Sequence, residues 1–155
     1  MQIQCFEEFS LSRSVLSGIE ELGFNQLFPI QAQAIGPLLD GKDVIGQAHT
    51  GTGKTAAFGI PMVERLTPSV NAVQGLVLEP TRELAIQTAD HIRRISKYTA
   101  VKVTPIYGGA AIRRQIEALD RGVHIVVGTP GRIIDHLKQS PTQFDINSSY
   151  VLHSP

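Results

Sequence analysis

A segment rich in glycine and threonine, residues 48–55 with the sequence AHTGTGKT, does most to limit the possible folds of this chain. It follows a short apolar run at 43–47 and precedes a helix-like segment at 56–66. This order of strand, loop and helix is typical of a phosphate-binding loop. The helix would point the positive end of its dipole at the loop, where an anion is stabilised. The segment therefore predicts a site for the phosphates of a nucleoside triphosphate.

Each residue type in this loop has a chemical reason to be there. Gly51 and Gly53 allow a tight turn whose N–H groups point at phosphate oxygens. Lys54 would reach the β- and γ-phosphates, and the Thr55 hydroxyl would ligate Mg²⁺. Ala48 stands where the motif has its first glycine, so the alternative is an ordinary turn rich in glycine and threonine.

Short apolar runs alternate with helical patterns along the whole chain. Strands are predicted at 43–47, 74–78, 101–107, 123–127 and 150–152. Helices are predicted at 11–22, 30–39, 56–66, from 81 onward, at 111–119 and at 130–138. This alternation predicts an α/β fold with a parallel sheet and helices on both faces. Ligands of such sheets bind at the carboxyl ends of the strands, where 79–81 and 128–130 fall.

The ends of several helices can be assigned from capping residues. Ser12 is expected to cap the first helix and Gly23 to end it, while Thr81 is expected to cap the fourth. The apolar side of that fourth helix is expected to carry Leu84, Ile92 and Ile95. Residues 140–142 are expected to end the last helix.

Composition restricts the class of protein more than it identifies it. The 155 residues fit one domain, 1–155, and 42% are hydrophobic against 18% charged. The formal net charge is +0, so binding to nucleic acid would depend on local clusters of basic residues. Cys5 is the only cysteine, and no apolar run approaches the ~20 residues that span a bilayer. A cytoplasmic protein with no membrane partner is expected.

Five segments together resemble DEAD-box RNA helicases in their order and rough spacing. They are the phosphate loop 48–55, Pro-Thr-Arg-Glu-Leu-Ala at 80–85, Gly-Gly at 108–109, Thr-Pro-Gly-Arg at 129–132, and the segment 23–31 that resembles that family's adenine-recognition segment. The resemblance implies an amino-terminal RecA-like domain of the P-loop NTPase type. It places the adenine-recognition segment at about 6–31 and the P-loop core at 43–155.

The resemblance implies ATP and Mg²⁺ as cofactors. The Gln31 amide has both a donor and an acceptor for the adenine edge, and Phe6 or Phe24 could pack on the base. The implied nucleotide-binding residues are Phe6, Phe24, Gln31, Thr50, Gly51, Thr52, Gly53, Lys54 and Thr55. Lys54 and Thr55 are the implied catalytic residues, and Thr55 is the implied metal ligand. The alternatives are a core role for Phe24 and a hydrophobic anchor role for Phe6.

The same resemblance implies that RNA, single-stranded or duplex, is gripped through its backbone. The implied RNA-binding residues are Pro80, Thr81, Arg82, Gly108, Gly109, Thr129, Pro130, Gly131 and Arg132. Hydroxyls, guanidinium groups and backbone N–H groups bind phosphates without reading sequence. The alternative for 129–131 is a plain strand-to-helix turn. The arginine pairs at 93–94 and 113–114 are expected to be solvated helix faces, and the histidines show no zinc-ligand spacing.

Two departures from the family pattern affect the expected activity. Leu27 and Phe28 stand where the family has Pro followed by Ser or Thr, which puts nucleotide affinity in doubt. The sequence reads His153-Ser154-Pro155 where the family continues into Asp-Glu-Ala-Asp, and the second RecA-like domain is also missing, which suggests an incomplete carboxyl-terminal end. Negligible hydrolysis and no unwinding are expected from these residues alone. The alternatives are a non-catalytic half-module that binds nucleotide or RNA, and another P-loop enzyme such as a GTPase or kinase.

Overall fold

The structure of the protein, a computed structural model, describes residues 5–139 and 150–153. After a short 3-10 turn at Phe6–Glu8, the helices are α1 Arg13–Glu21, α2 Pro29–Leu39, α3 Lys54–Arg65, α4 Arg82–Ile95, α5 Ile112–Asp120 and α6 Pro130–Gln139. The strands are β1 Gly75–Leu78, β2 Val103–Ile106, β3 Ile125–Gly128 and β4 Tyr150–His153.

The strands form one parallel sheet in the order β2-β3-β1-β4. All four residues of β3 are buried, as expected for an inner strand of a parallel sheet. The register pairs Gly128 with both Leu78 and Ile106. Strands β1, β2 and β3 therefore have their carboxyl ends at the same level, at one edge of the sheet.

Strand β2 comes first in the sheet order β2-β3-β1-β4, and among the described strands it pairs with β3 alone. Its residues alternate between facing β3 and facing away, because Lys102 O accepts from Ile125 N and Ile106 O accepts from Thr129 N. Pro105 consequently points its backbone away from β3. A proline is tolerated in a strand at this kind of position, where no ladder hydrogen bond is lost.

Contacts group the chain into two compact units, Met1–Arg65 with His91–Ala100, and Leu66–Asp90 with Val101–Pro155. In the first unit α2 packs against α3, and α1 also contacts α3. Its core includes Val15, Ile19, Ile35, Ile60 and Ile95, each 0–1% exposed. Gly18 permits a close approach here, because a Cβ at this position would collide with the carbonyl oxygen of Ile95.

The second unit holds the sheet and a separate apolar cluster. The cluster consists of Val73, Leu76, Ile106, Leu119, Val123, Val126 and Ile133. His124 is a polar residue buried in this unit, where Nδ1 accepts from Lys102 N at 2.9 Å and Nε2 lies 3.1 Å from Pro68 O. Because a carbonyl oxygen only accepts, Nε2 carries the hydrogen and His124 is neutral in this arrangement. Its burial lowers its pKa below the ordinary value.

Most of the predicted elements are confirmed, with ends shifted by a few residues. The α/β fold with a parallel sheet is confirmed, Ser12 Oγ accepts from Val15 N at 3.4 Å, and Gly23 follows α1 with φ +75°. Thr81 Oγ1 accepts from Leu84 N at 3.3 Å, so the predicted cap of α4 is also confirmed. The expected helix break at 140–142 lies outside the described residues.

Two predictions about local structure are wrong. Residues 43–47 form no strand, because a parallel strand requires a neighbour for its backbone groups and none of the described strands pairs with this segment. Ile45 is exposed. Leu84 is exposed as well, while Ala85 and Ala89 are fully buried on α4 together with Ile92 and Ile95.

None of the helices in the described ranges is both long enough and apolar enough to cross a membrane.

Candidate functional site

The predicted phosphate loop ends at helix α3 in a conformation that two glycines make possible. Gly51 has φ +80° and Gly53 has φ +77°, in the left-handed region that favours glycine. The Thr52 hydroxyl donates to His49 O at 2.6 Å and closes the turn between them. The loop is thus a tight turn directly before a helix, as the sequence predicted.

The first turn of α3 keeps backbone donors available for an anion. Its first hydrogen bond runs from Ala57 N to Gly53 O at 3.0 Å. The N–H groups of Lys54, Thr55 and Ala56 are therefore outside the helical ladder, as at any helix start. Within the described ranges the Lys54 ammonium has no hydrogen bond or ion pair. The first turn of α3 thus carries backbone donors, an ammonium group and a hydroxyl, the groups that suit a phosphate with its magnesium ion.

Gln31 is fully buried beside this loop. Its Oε1 accepts from Phe28 N at 2.9 Å, and its Nε2 donates to Gly53 O at 3.2 Å. The amide therefore connects the start of α2 to the last glycine of the loop. A Cβ at Gly53 would overlap Gln31 Nε2 and lie 3.0 Å from Phe28 Cδ2. The predicted contact of Gln31 with adenine remains a prediction, and the structure adds a role in holding the loop.

The two aromatic residues predicted to contact the base lie together. Phe6 is only 3% exposed, and its ring centroid is 6.3 Å from that of Phe24. Phe24 is half-buried and stacks on His91 at 6.0 Å with an interplanar angle of 18°. Burial lowers the pKa of His91, and the nearby Arg94 adds to this effect, so the ring is neutral near pH 7. The burial of Phe6 matches the hydrophobic anchor role considered as its alternative, whereas Phe24 is only half-buried, and stacking on a base remains a prediction for both.

In the second unit, the level strand ends bring the three predicted RNA-binding segments to one edge of the sheet. This edge, called the rim below, consists of residues 79–82, 107–110 and 128–132. On the β1 side, Glu79 is buried and accepts from the Thr88 hydroxyl at 2.7 Å. Pro80 is exposed at the turn into α4. The Glu79 side chain is therefore turned into the unit, where it connects the end of β1 to the middle of α4.

Arg82 and the Gly-Gly segment lie next to each other on the rim. The Arg82 guanidinium lies over the Tyr107 ring, 4.9 Å from its centroid. Gly109 has φ +81°, and a Cβ there would be 3.5 Å from Arg82 Nη1. Gly108 is exposed, with open space where a Cβ would be. Small residues beside a guanidinium leave room for a sugar-phosphate chain to approach.

The segment 129–132 closes the rim on the β3 side. Thr129 N donates to Ile106 O at 3.0 Å, and Pro130 and Gly131 are exposed at the start of α6. The Arg132 side chain is only 15% exposed, with Nη1 donating to Ala110 O at 2.9 Å. The segment is thus a strand-to-helix turn, as the alternative held, and it also places Arg132 at the rim.

Two buried polar residues next to the rim, Gln115 and His136, were not predicted. Gln115 on α5 donates from Nε2 to Tyr107 O at 2.9 Å, and its Oε1 lies 3.1 Å from His136 Nε2 on α6. Burial lowers the pKa of His136, with Arg132 adding to the effect and Asp135 opposing it. A sequence signal for Gln115 did exist, because it falls within the apolar stripe 112, 116 and 119 of α5.

No three His, Cys, Asp or Glu side chains in the described ranges are grouped as they would be around a metal ion. A magnesium ion bound with a nucleotide does not require such a group, since it keeps waters and phosphate oxygens as ligands. The Thr55 hydroxyl at the start of α3 would be its protein ligand.

Comparison with known proteins assigns this chain to one family. The family model for DEAD/DEAH box helicases matches residues 28–151. The chain therefore belongs to the DEAD/DEAH box helicase family.

Individual relatives agree with this assignment. The chain is 49% identical to the DEAD-box ATP-dependent RNA helicase CshA of Bacillus cereus over 95% of its length and 28% of that protein. It is 52% identical to the CshA protein of Geobacillus kaustophilus over 95% of its length and 32% of that protein. The crystal structure of a DEAD box protein from Methanococcus jannaschii matches 99% of the chain and 42% of that protein with a TM-score of 0.91 at 39% identity. The chain thus spans about three tenths of the length of these curated relatives.

Proposed function

We propose that this chain is the ATP-binding and RNA-backbone-binding domain of an ATP-dependent RNA helicase. The observation that carries the proposal is the phosphate loop, with two left-handed glycines directly before α3 in a chain of the DEAD/DEAH box family. The class of ligand comes from the two CshA relatives, which are called ATP-dependent RNA helicases.

In the nucleotide half of this proposal, the chain's own residues bind and orient the triphosphate. Lys54 neutralises charge on the β- and γ-phosphates, and the free N–H groups at the start of α3 donate to the same oxygens. Thr55 would ligate the magnesium ion, which screens the phosphate charge when bound. Gln31 would bond the adenine edge with the amide hydrogen and the oxygen lone pair that its two present hydrogen bonds leave unused.

In the RNA half, the rim grips the backbone of RNA and reads no base sequence. Arg82 and Arg132 supply guanidinium groups for phosphate oxygens, and the Thr81 and Thr129 hydroxyls add uncharged partners. Gly108 and Gly109 allow the sugar-phosphate chain to come close to the backbone. Such binding depends on charge, so it should weaken as salt rises.

We expect a polypeptide of these 155 residues to hydrolyse ATP negligibly and not to unwind RNA. The sequence holds neither the Asp-Glu pair nor the second RecA-like domain that the family resemblance associates with hydrolysis. Phosphoryl transfer depends on positioning and charge stabilisation, and losing an arginine finger alone costs about 10³–10⁵ in rate. A cytoplasmic location belongs to the same proposal.

A second candidate is a non-catalytic half-module that binds nucleotide or RNA without turnover. It is favoured by the full burial of the Gln31 amide, which hydrogen-bonds to Phe28 N and Gly53 O within the chain. This candidate predicts no ATP hydrolysis even when the Asp-Glu segment is joined to the chain and a second RecA-like domain is added in trans. Restored hydrolysis would exclude it and leave the helicase proposal in place.

Titration of the chain with fluorescent ADP and Mg²⁺, followed by competition with ADP and GDP, tests the nucleotide half. ADP should displace the probe and GDP should not. Lys54→Ala should weaken binding by about 1.5–3 kcal/mol, the value of a hydrogen bond to a charged group. Lys42→Ala is the matched control, because that lysine is exposed in the same unit and pairs only loosely with Asp40 at 3.7 Å. Equal affinity of the two variants would exclude this phosphate site.

A further inference from the structure

A buried hydrogen-bonded cluster around the side chain of Gln115 lies against the rim. Gln115 is 7% exposed and His136 is 0% exposed. The Gln115 amide contacts three groups: Tyr107 O at 2.9 Å, Arg132 Nη1 at 3.3 Å and His136 Nε2 at 3.1 Å. One amide on α5 therefore connects the end of β2 with two residues of α6.

The partners fix the orientation of this amide. A carbonyl oxygen only accepts, so Tyr107 O must face the NH₂ of Gln115. A guanidinium only donates, so Arg132 must face Oε1. The hydrogen on His136 follows, because Oε1 accepts and Nε2 must then donate. A flipped amide would place two acceptors together on one side and two donors on the other, so only one arrangement satisfies all three partners.

We propose that Gln115 is a positioning residue that holds the 107–110 segment of the rim and the Arg132 guanidinium in one fixed arrangement. The inference rests on the proposed function, because it gives this arrangement a role in binding the RNA backbone. Arg132 also donates to Ala110 O at 2.9 Å, so the 107–110 segment is held from both ends. A guanidinium has five donors, and Arg132 can keep these contacts while it also binds a phosphate.

Fixing these groups before RNA arrives reduces the ordering that binding requires. Without Gln115, Gly108 and Gly109 would be joined to the rest of the rim mainly by the Ala110 contact. Two successive glycines are flexible when nothing holds them. The effect should appear as faster motion of the rim and as weaker RNA binding, while the nucleotide site in the other unit is unaffected.

Two substitutions separate the contacts of Gln115. Gln115→Leu removes all three. Gln115→Glu keeps an acceptor for Arg132 and His136 but faces Tyr107 O with a second acceptor, so it releases the Tyr107 end of the 107–110 segment alone and leaves the contact of Arg132 with Ala110 O in place. It also tests the inference if the leucine variant does not fold.

Gln74→Leu is the matched control. The Gln74 amide also makes three hydrogen bonds to backbone in the same unit, with Thr67 N at 2.9 Å, Thr67 O at 2.9 Å and Val70 O at 3.1 Å. It precedes the amino end of β1, whereas the rim is at the carboxyl ends. Its loss should reduce stability without changing the rim.

Three quantities are measured on each folded variant: amide hydrogen exchange at residues 108–110, affinity for fluorescein-labelled oligouridine, and affinity for fluorescent ADP. Both Gln115 variants should speed exchange at 108–110, weaken oligouridine binding by about tenfold, which is about 1.4 kcal/mol, and leave ADP binding unchanged. Gln74→Leu should change neither exchange at 108–110 nor oligouridine affinity.

Unchanged exchange at 108–110 in both Gln115 variants would overturn the inference. So would faster exchange with unchanged oligouridine affinity, because the rim would then be positioned for something other than RNA. An unaltered chain that binds ADP but no oligouridine would overturn the RNA half of the proposed function, and the inference with it. The unaltered chain therefore tests the function, and the variants test the positioning.

Discussion

Gly53→Ala should damage the phosphate loop for two reasons that can be separated. The first is backbone strain, because Gly53 has φ +77° and a residue with a Cβ in this region costs about 1–2 kcal/mol. The second is steric. The new Cβ would overlap Gln31 Nε2 and approach Phe28 Cδ2 to 3.0 Å. Gln31 is fully buried and held by two hydrogen bonds, so its amide can move away only by giving up a bond.

The steric part can be given a magnitude. If Gln31 loses its contact with Gly53 O, a buried amide hydrogen is left without a partner at a cost of about 1–3 kcal/mol. Gly53→Ala should then lower the free energy of unfolding by about 2–5 kcal/mol in total. Gly51→Ala isolates the strain, since Gly51 has φ +80° but nothing lies within 4 Å of its Cβ position. That variant should lose only about 1–2 kcal/mol.

Urea unfolding of the two variants measures the difference directly. A third comparison adds Gln31→Ala to both backgrounds, where the extra cost of Gly53→Ala should shrink because the obstructing amide is gone. Fluorescent-ADP affinity should fall further for Gly53→Ala than for Gly51→Ala. Equal losses of stability for the two glycine variants, or no coupling to Gln31, would refute the account of how this loop is held.

Further tests address the helix contact, a histidine and the rim. Gly18→Ala should cost at least about 1–3 kcal/mol in urea unfolding because its Cβ would meet Ile95 O, whereas Gly36→Ala, with its nearest atom 3.7 Å away, should be neutral or mildly stabilising. Burial lowers the pKa of His124 below its ordinary 6.5, so the unfolded chain takes up a proton first. The contribution of His124 to stability should therefore be complete above pH 6.5 and fall as the pH drops below it. Thermal melts of His124→Asn should depend less on pH than those of the unaltered chain. An equal dependence in the two would contradict this account. Arg82→Ala should weaken oligouridine binding and reduce the slope of log affinity against log salt by about 1, and an unchanged slope would mean that Arg82 contacts no phosphate.

The sequence predicted those parts of the fold that depend on local chemistry. The cap at Ser12 follows from a hydroxyl placed before an apolar helical repeat, and strand β3 follows from a continuous apolar run between turn residues. The run at 43–47 also contains β-branched residues, Val44 and Ile45, but forms no strand, because strand formation depends on a neighbour that composition does not specify.

In the candidate sites, too, features that depend on local sequence were predicted, and contacts between distant residues were not. Glycines and a lysine at fixed spacing predicted the conformation of the phosphate loop, since the spacing itself has a geometric meaning. The contacts of Gln31 and Gln115 could not be predicted, because each amide reaches partners distant in sequence. The sequence predicted that Gln31 binds adenine, but it did not indicate that the same amide also contacts the phosphate loop at Gly53 O. Gln115 was not singled out in the sequence, although its place in the apolar stripe of α5 indicates burial.

The orientation of Pro105 in β2 has a consequence for substitutions at this position. Because the backbone of Pro105 points away from β3, its missing N–H removes no hydrogen bond from the ladder between β2 and β3. Pro105→Ala would therefore leave that ladder unchanged. It would act on β2 only by releasing the backbone angle φ that the proline ring fixes.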